Sequence, residues 1–235
     1  MQKFPKILLF LVLAVFLVAG SASATPILTL DDGINPLVSI TDGGALDESS
    51  LPGVVQYSGG IGSWIVNVTT GITMPVLGRV DFPWLDLNSV NVSSSGDGGT
   101  LEITFQENGF SMPGISHGFQ TLAGGTTKGT VSFLSEYDDT EGSPSDPYNF
   151  DDAQTISDLG SFSDGAFSAT GVALVDPSDP FALRLTATIT HGVGTNATSF
   201  NTEISPVPEP ATMLLLGAGL IGLAGLGRKR FFKKS

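Results

Sequence analysis

Apolar and polar residues alternate with a period of two through the middle of the chain. From Phe181 to Thr190, Phe181, Leu183, Leu185, Ala187 and Ile189 fall on one face; Ala182, Arg184, Thr186, Thr188 and Thr190 fall on the other. Successive side chains leave a strand on opposite faces, so this pattern predicts a half-buried β-strand. Leu101, Ile103 and Phe105 alternate with Glu102, Thr104 and Gln106 in the same way, Trp64, Val66 and Val68 share one face, and so do Val131 and Phe133. Between Leu85 and Ser93 the phase slips: Leu85 and Leu87 are in step, Val90 and Val92 are not, which predicts a bulge near Asn88–Ser89.

Turns rich in Asp and Gly, beginning at Asp31, Asp42, Gly96, Glu107 and Ser163, separate these runs. The pair Asp164–Gly165, between Phe162 and Phe167, predicts a tight hairpin. Residues 135–152, SEYDDTEGSPSDPYNFDD, interrupt the alternation and predict a long exposed acidic loop. No stretch of the middle keeps a helical period. Many short strands between Gly-rich turns predict an all-β fold, an antiparallel β-sandwich of jelly-roll-like form over residues 25–205. A β-solenoid is the alternative, but no fixed-period repeat supports it.

The two ends depart from this pattern. Lys3 and Lys6 precede an apolar run from Ile7 to Ala19, and Ala22-Ser23-Ala24 follows with the small residues of a cleavage site. This predicts a signal peptide over residues 1–24, cut before Thr25. At the other end, Ala211–Gly227 is uncharged and Gly-rich, near the lower length limit for a helix that crosses a bilayer. Arg228, Lys229 and Arg230 open the basic tail 228–235, which the positive-inside rule keeps in the cytoplasm.

Charge agrees with this topology. The formal net charge is −13, from 10 Lys+Arg and 23 Asp+Glu. All the acids but Glu209 lie within residues 25–205, against only Arg79, Lys128 and Arg184. Both basic ends inside place an acidic body outside. Such a body repels phosphate backbones, so nucleic acid is not an expected partner. The chain has no cysteine, which excludes disulfides, thiolate metal sites and a cysteine nucleophile. No cofactor is expected.

Pro208-Glu209-Pro210, the segment 211–227 and Arg228-Lys229-Arg230, in this order within residues 206–235, resemble the PEP-CTERM sorting signal. The resemblance implies an exported protein of a Gram-negative, exopolysaccharide-making bacterium. It implies anchoring in the inner membrane by the tail, processing near the motif by an exosortase, and delivery to the cell surface or exopolysaccharide matrix. A closely similar tail occurs on some ice-binding proteins, a likeness of the tail alone. Pro208 and Pro210 lack N–H groups and disfavour helix, so the motif is presented extended.

Candidate chemistry in the body is sparse. Asp138, Asp139, Glu141, Asp146, Asp151 and Asp152 offer oxygen ligands for Ca²⁺, though without EF-hand spacing. Glu102, Glu107, Glu136 and Glu203 are candidate glutamates for glycosidic cleavage, and no spacing singles out a pair. His117 and His191 each adjoin a glycine and read as surface residues in turns. No nucleophile or zinc motif is present. Trp64, Trp84, Tyr57, Tyr137 and Tyr148 could stack on sugar rings, with Trp64 on an apolar face and Trp84 the better placed. Thr186, Thr188 and Thr190 form one threonine row, and Asn67, Asn91 and Asn196 head N-glycosylation-type triplets. The sequence therefore predicts a non-enzymatic surface or matrix protein with a structural or adhesive role, a Ca²⁺- or polysaccharide-binding module being the alternative and an extracellular hydrolase the third reading.

Overall fold

The computed structural model describes residues 25–112, 117–139, 150–207 and 218–221. Ten strands form in order: β1 Ile27–Asp31, β2 Val38–Thr41, β3 Val54–Ile61, β4 Trp64–Ile72, β5 Leu85–Ser94, β6 Gly99–Phe110, β7 His117–Asp138, β8 Gln154–Val175, β9 Phe181–His191 and β10 Asn196–Val207. Every pairing is antiparallel, in the order β2-β1-β6-β9-β7-β10-β5-β4-β3, with β8 added on β7.

One long strand makes two layers from this continuous hydrogen-bonded path. The first half of β7, Gly118–Thr127, pairs with β10, whereas the second half, Thr130–Asp138, pairs with β9. The layer β2-β1-β6-β9 therefore packs over β10-β5-β4-β3, and the β7–β8 ribbon runs from one to the other. Leu28, Leu101, Ile103, Phe105, Leu183, Leu185 and Ile189 of the first layer share a single buried cluster with Trp64, Val66, Leu85, Leu87, Val92, Phe200 and Ile204 of the second. These are the in-phase positions of the alternation, and burying them is what holds the layers together. The cluster begins at Leu28 and ends at Ile204, so residues 25–207 carry a core of their own.

The ribbon turns the corner at residues expected to form a hairpin. β8 runs without a turn through Asp164 and Gly165, whose φ angles are 36° and 138°. Opposite them the β7 register slips between Thr127 and Thr130, at Gly129 with φ 136°. The Gly129 N–H donates to Asp164 Oδ1 at 3.0 Å. Two facing irregularities bend both strands together, so Asp-Gly here makes a bulged corner and not a strand reversal.

The bulge predicted in β5 is present. Leu87 pairs with Thr202 and Val90 with Phe200, leaving Asn88–Ser89 opposite Asn201 alone. Ser89 takes φ 54°, and its N–H donates to Asn201 Oδ1 at 2.8 Å. The extra residue returns Val90 and Val92 to the core.

The acidic loop is shorter than expected. Ser135–Asp138 belong to β7 and are buried, because Glu136 lies in register with Arg184 of β9. Its Oε2 accepts from Arg184 Nη2 at 2.7 Å, and the guanidinium lies 4.3 Å from the centroid of the buried Phe150 ring. A cross-strand ion pair capped by an aromatic ring continues the strand four residues into the acidic stretch. Residues 140–149 lie outside the described residues.

So do the expected signal peptide, with Ala22 and Ala24, and the motif residues Pro208, Glu209 and Pro210. The same holds for the basic residues Arg228, Lys229 and Arg230. Of the expected membrane helix only the helical residues 218–221 are described. No helix among the described residues is long and apolar enough to cross a membrane.

Candidate functional site

The outer face of the second layer holds a groove of about 370 Å³, lined by Asp86, Leu122, Ala123, Gly124, Ser168, Ala169, Asn201, Thr202 and Glu203. Strand alternation builds it. Phe200, Thr202 and Ile204 of β10 point into the sandwich, which turns Asn201 and Glu203 outward. On β5, buried Leu85 and Leu87 flank Asp86 and turn it to the same face. Register then aligns the strands. Glu203 faces Asp86 on one side and Leu122 on the other, and Leu122 faces Thr170. In the next row Asn201 faces Gly124, which faces Ser168. Gly124 has no side chain, so the floor dips between two hydrogen-bonding residues.

Two carboxylates therefore sit side by side on neighbouring strands, both half-buried. Burial pushes the Asp86 carboxyl above its ordinary value, and a hydrogen bond from Asn88 Nδ2 at 3.0 Å opposes the rise. Burial also raises Glu203, the neighbouring Asp86 charge raises it further, and Trp84 acts against the rise. Trp84 Nε1 is buried and lacks a hydrogen-bond partner of full geometry among the described residues. Partly desolvated carboxylates in an open groove favour partners that donate hydrogen bonds, and hydroxyl groups do so without adding charge.

The other expected residues are dispersed. Glu102 is exposed on β6. Glu107 is buried in the core, Thr73 Oγ1 donates to its Oε2, and its Oε1 has no partner among the described residues. Burial, and then the Asp42 charge, raise it to about 8, against the Thr73 hydrogen bond. His191, expected on the surface, is buried at the end of β9. Its Nδ1 lies 2.7 Å from Ser94 Oγ and its Nε2 2.8 Å from Thr198 Oγ1, and burial lowers its pKa. It continues the inward face of Phe181–Ile189, and the ring packs, tilted, with its centroid 4.7 Å from that of Trp64. His117 opens β7.

Trp64 is core, as expected from its strand face. Tyr137 is buried and donates to Gln154 Oε1 at 2.9 Å, whereas Tyr57 is half-buried; Tyr148 lies outside the described residues. Of the acidic candidates, Asp138 is buried in β7, Asp139 Oδ2 accepts from the Ser178 N–H at 2.8 Å, and Asp151 and Asp152 are exposed. Glu141 and Asp146 lie outside the described residues. Among the described residues no three His, Asp or Glu side chains are grouped to hold a metal. The row Thr186, Thr188 and Thr190 lies beside Thr104, Glu102 and Thr100 of β6 on the outer face of the first layer. Asn67 and Asn91 are exposed neighbours, while Asn196 is buried and bonded to the Gly192 carbonyl.

Sequence reasoning weighed Glu203 singly and passed over Asp86. Their outward phase is legible within each strand, but their pairing depends on a register spanning more than a hundred residues.

The body is thus an antiparallel β-sandwich with a polar groove on one face, joined to a C-terminal segment of different character. That segment, residues 206–230, matches the PEP-CTERM protein-sorting motif, so the chain carries the signal its tail resembles. The motif implies export and sorting by an exosortase, with membrane anchoring before processing. Among curated proteins, none matches the sequence. Solved structures similar in part include a family 29 carbohydrate-binding module complexed with mannohexaose, at 12% identity and TM-score 0.29, covering 79% of this chain and 93% of that one. A carbohydrate-binding module complexed with β-1,4-galactotriose matches at 8% identity and TM-score 0.28, over 61% of this chain and 90% of that one. The module CBM4 matches at 10% identity and TM-score 0.32, over 69% and 93%.

Proposed function

We propose that this is a non-catalytic protein of the cell surface or exopolysaccharide matrix, whose sandwich holds uncharged polysaccharide in the outer groove. The observation that carries the reading is the groove itself, with Asp86 and Glu203 adjacent and partly desolvated over a floor at Gly124. Asn201 and Ser168 add neutral hydrogen-bonding groups across that floor. Hydroxyls of a neutral glycan supply the donors that the carboxylates want. An anionic glycan would meet the repulsion of the acidic body. The sorting motif supports the location.

Hydrolysis fits the same groove poorly. A glycosidase places its two carboxyls on either side of the scissile bond. Asp86 and Glu203 rise from adjacent strands on one face and meet a ligand from the same side. They grip it, which is adhesion and not cleavage.

The test uses residues 25–207 in affinity electrophoresis with a neutral galactomannan and with alginate. Retardation by the neutral polymer alone, lost at least tenfold in Asp86→Asn/Glu203→Gln with no fall in melting temperature, is the expected result. Equal retardation of both proteins, or none by any neutral polymer, overturns the reading.

A further inference from the structure

Among the described residues the sheet has three exposed margins, and they are not equally protected. β2 is only four residues long. β3 is covered along its free side: Asp47 Oδ1 accepts from the Gln56 N–H at 2.9 Å, Glu48 Oε1 accepts from the Ser58 N–H at 3.1 Å, and the Glu48 N–H donates to the Gln56 carbonyl at 2.8 Å. Short edges and carboxylates placed on strand N–H groups are ways of blocking the addition of another strand.

β8 has neither device over its second half. It is 22 residues long and pairs with β7 alone among the described residues. From Gly165 to Val175 it carries no charge and no proline, in a body otherwise dense with acids. Val172 and Leu174 are 64% and 74% exposed on its outward face. Acids flank the stretch only at its ends: Asp164 is turned across the ribbon to the Gly129 N–H, and Asp176 follows Val175 beyond the strand.

We propose that the edge Gly165–Val175 pairs with the same edge of a second copy of this chain, antiparallel about a two-fold axis. Charge selects the partner's surface. Two copies of an anionic body repel across most approaches, whereas this edge brings neutral strand to neutral strand. Side chains select the register. With Thr170 opposite Thr170, Val172 meets Ser168 and Leu174 meets Ala166, so each large apolar side chain lies over a small one. Eleven residues of strand give about 36 Å of edge. Edges of that length and roughly 10 Å thickness bury on the order of 700–1,000 Å² in total, the scale of a weak dimer that forms at high local concentration. A membrane face, before processing of the tail, supplies such concentration.

The pairing also extends the groove. Thr170 ends the outward row Asp86–Glu203–Leu122–Thr170, so the two-fold continues that row into its copy across a single sheet. The association stands without the polysaccharide reading and is tested without ligand.

Residues 25–207 are sedimented to equilibrium across a concentration series reaching the millimolar range. A reversible dimer is expected, with hydrogen exchange at 165–175 slowing as concentration rises. Thr170→Lys/Val172→Lys should weaken association at least tenfold. The control Ile34→Lys/Val193→Lys adds the same charge at two other exposed positions and should leave association unchanged. A monomer throughout, concentration-dependent protection located elsewhere, or equal weakening by both double variants overturns the proposal. The exchange measurement on the unaltered chain decides the matter if the lysine variant fails to fold.

Discussion

Two polar groups are buried at opposite ends of the β6–β9 pair, and the protein treats them differently. His191 pairs with Gly99 at one end, and Glu107 pairs with Leu183 at the other. Both ring nitrogens of His191 meet hydroxyls, and Thr198 Oγ1 passes the chain on to Thr127 Oγ1 at 2.7 Å. Hydroxyls rotate, so either tautomer is accommodated. Glu107 has Thr73 on one oxygen and nothing on the other among the described residues. A satisfied network ties the layers together, while a half-satisfied carboxyl costs stability whenever it ionises. Burial alone does not decide the sign of a polar group's contribution; completeness of its partners does.

The largest effect should come from breaking the satisfied end. His191→Ala removes a ring packed against Trp64, strands the buried Ser94 hydroxyl and leaves the Thr198 hydroxyl with Thr127 alone. Cavity and lost hydrogen bonds together should lower unfolding free energy by about 3 kcal/mol, read from urea denaturation of residues 25–207. A loss under about 1 kcal/mol would show that the network contributes little beyond packing.

Neither group was anticipated, although the phase of each strand pointed to it. Glu107 continues Leu101, Ile103 and Phe105, and His191 continues Leu185, Ala187 and Ile189, so both occupy inward positions. Gly109, two residues past Glu107, and Gly192, beside His191, suggested turns and hid this. Strand faces, the β5 bulge and the sandwich were legible because they depend on neighbours two residues apart. The corner at Asp164–Gly165 was not, because its meaning depends on a second irregularity at Gly129 in another strand. The Asp86–Glu203 pair is likewise a product of register, which the alternation within one strand does not carry.

Proton linkage separates the two ends next. The Glu107 carboxyl rises from an ordinary 4.5 to about 8, so its contribution is full below pH 4.5 and is lost as pH climbs through 8. His191 is lowered from 6.5, so its contribution is full above pH 6.5 and is lost as pH falls below it. Between pH 6.5 and 8.5 the Glu107 slope is the one left running, and it should remove about 2 kcal/mol. Glu107→Gln should flatten the profile over that range, whatever its effect on the baseline. Thermal unfolding across the range is the check, and an unchanged slope in the variant would place the linkage elsewhere.

The smallest effect belongs to a carboxylate pair that stays at the surface. Asp86 and Glu203 share with Glu107 a pKa raised first by burial, yet both remain half-exposed and solvent screens their repulsion. Asp86→Asn removes the second cause of the Glu203 rise and leaves the first. Carboxyl carbon chemical shifts should therefore show Glu203 titrating closer to its ordinary value but still above it. Stability at neutral pH should rise by less than about 1 kcal/mol, because a like-charge neighbour has been removed without opening the core. If the Glu203 titration does not move, the two carboxylates do not sense each other, and the groove presents two independent acceptors. If it returns fully to the ordinary value, the Asp86 charge and not burial governs the site, and its likeness to the enclosed Glu107 ends there.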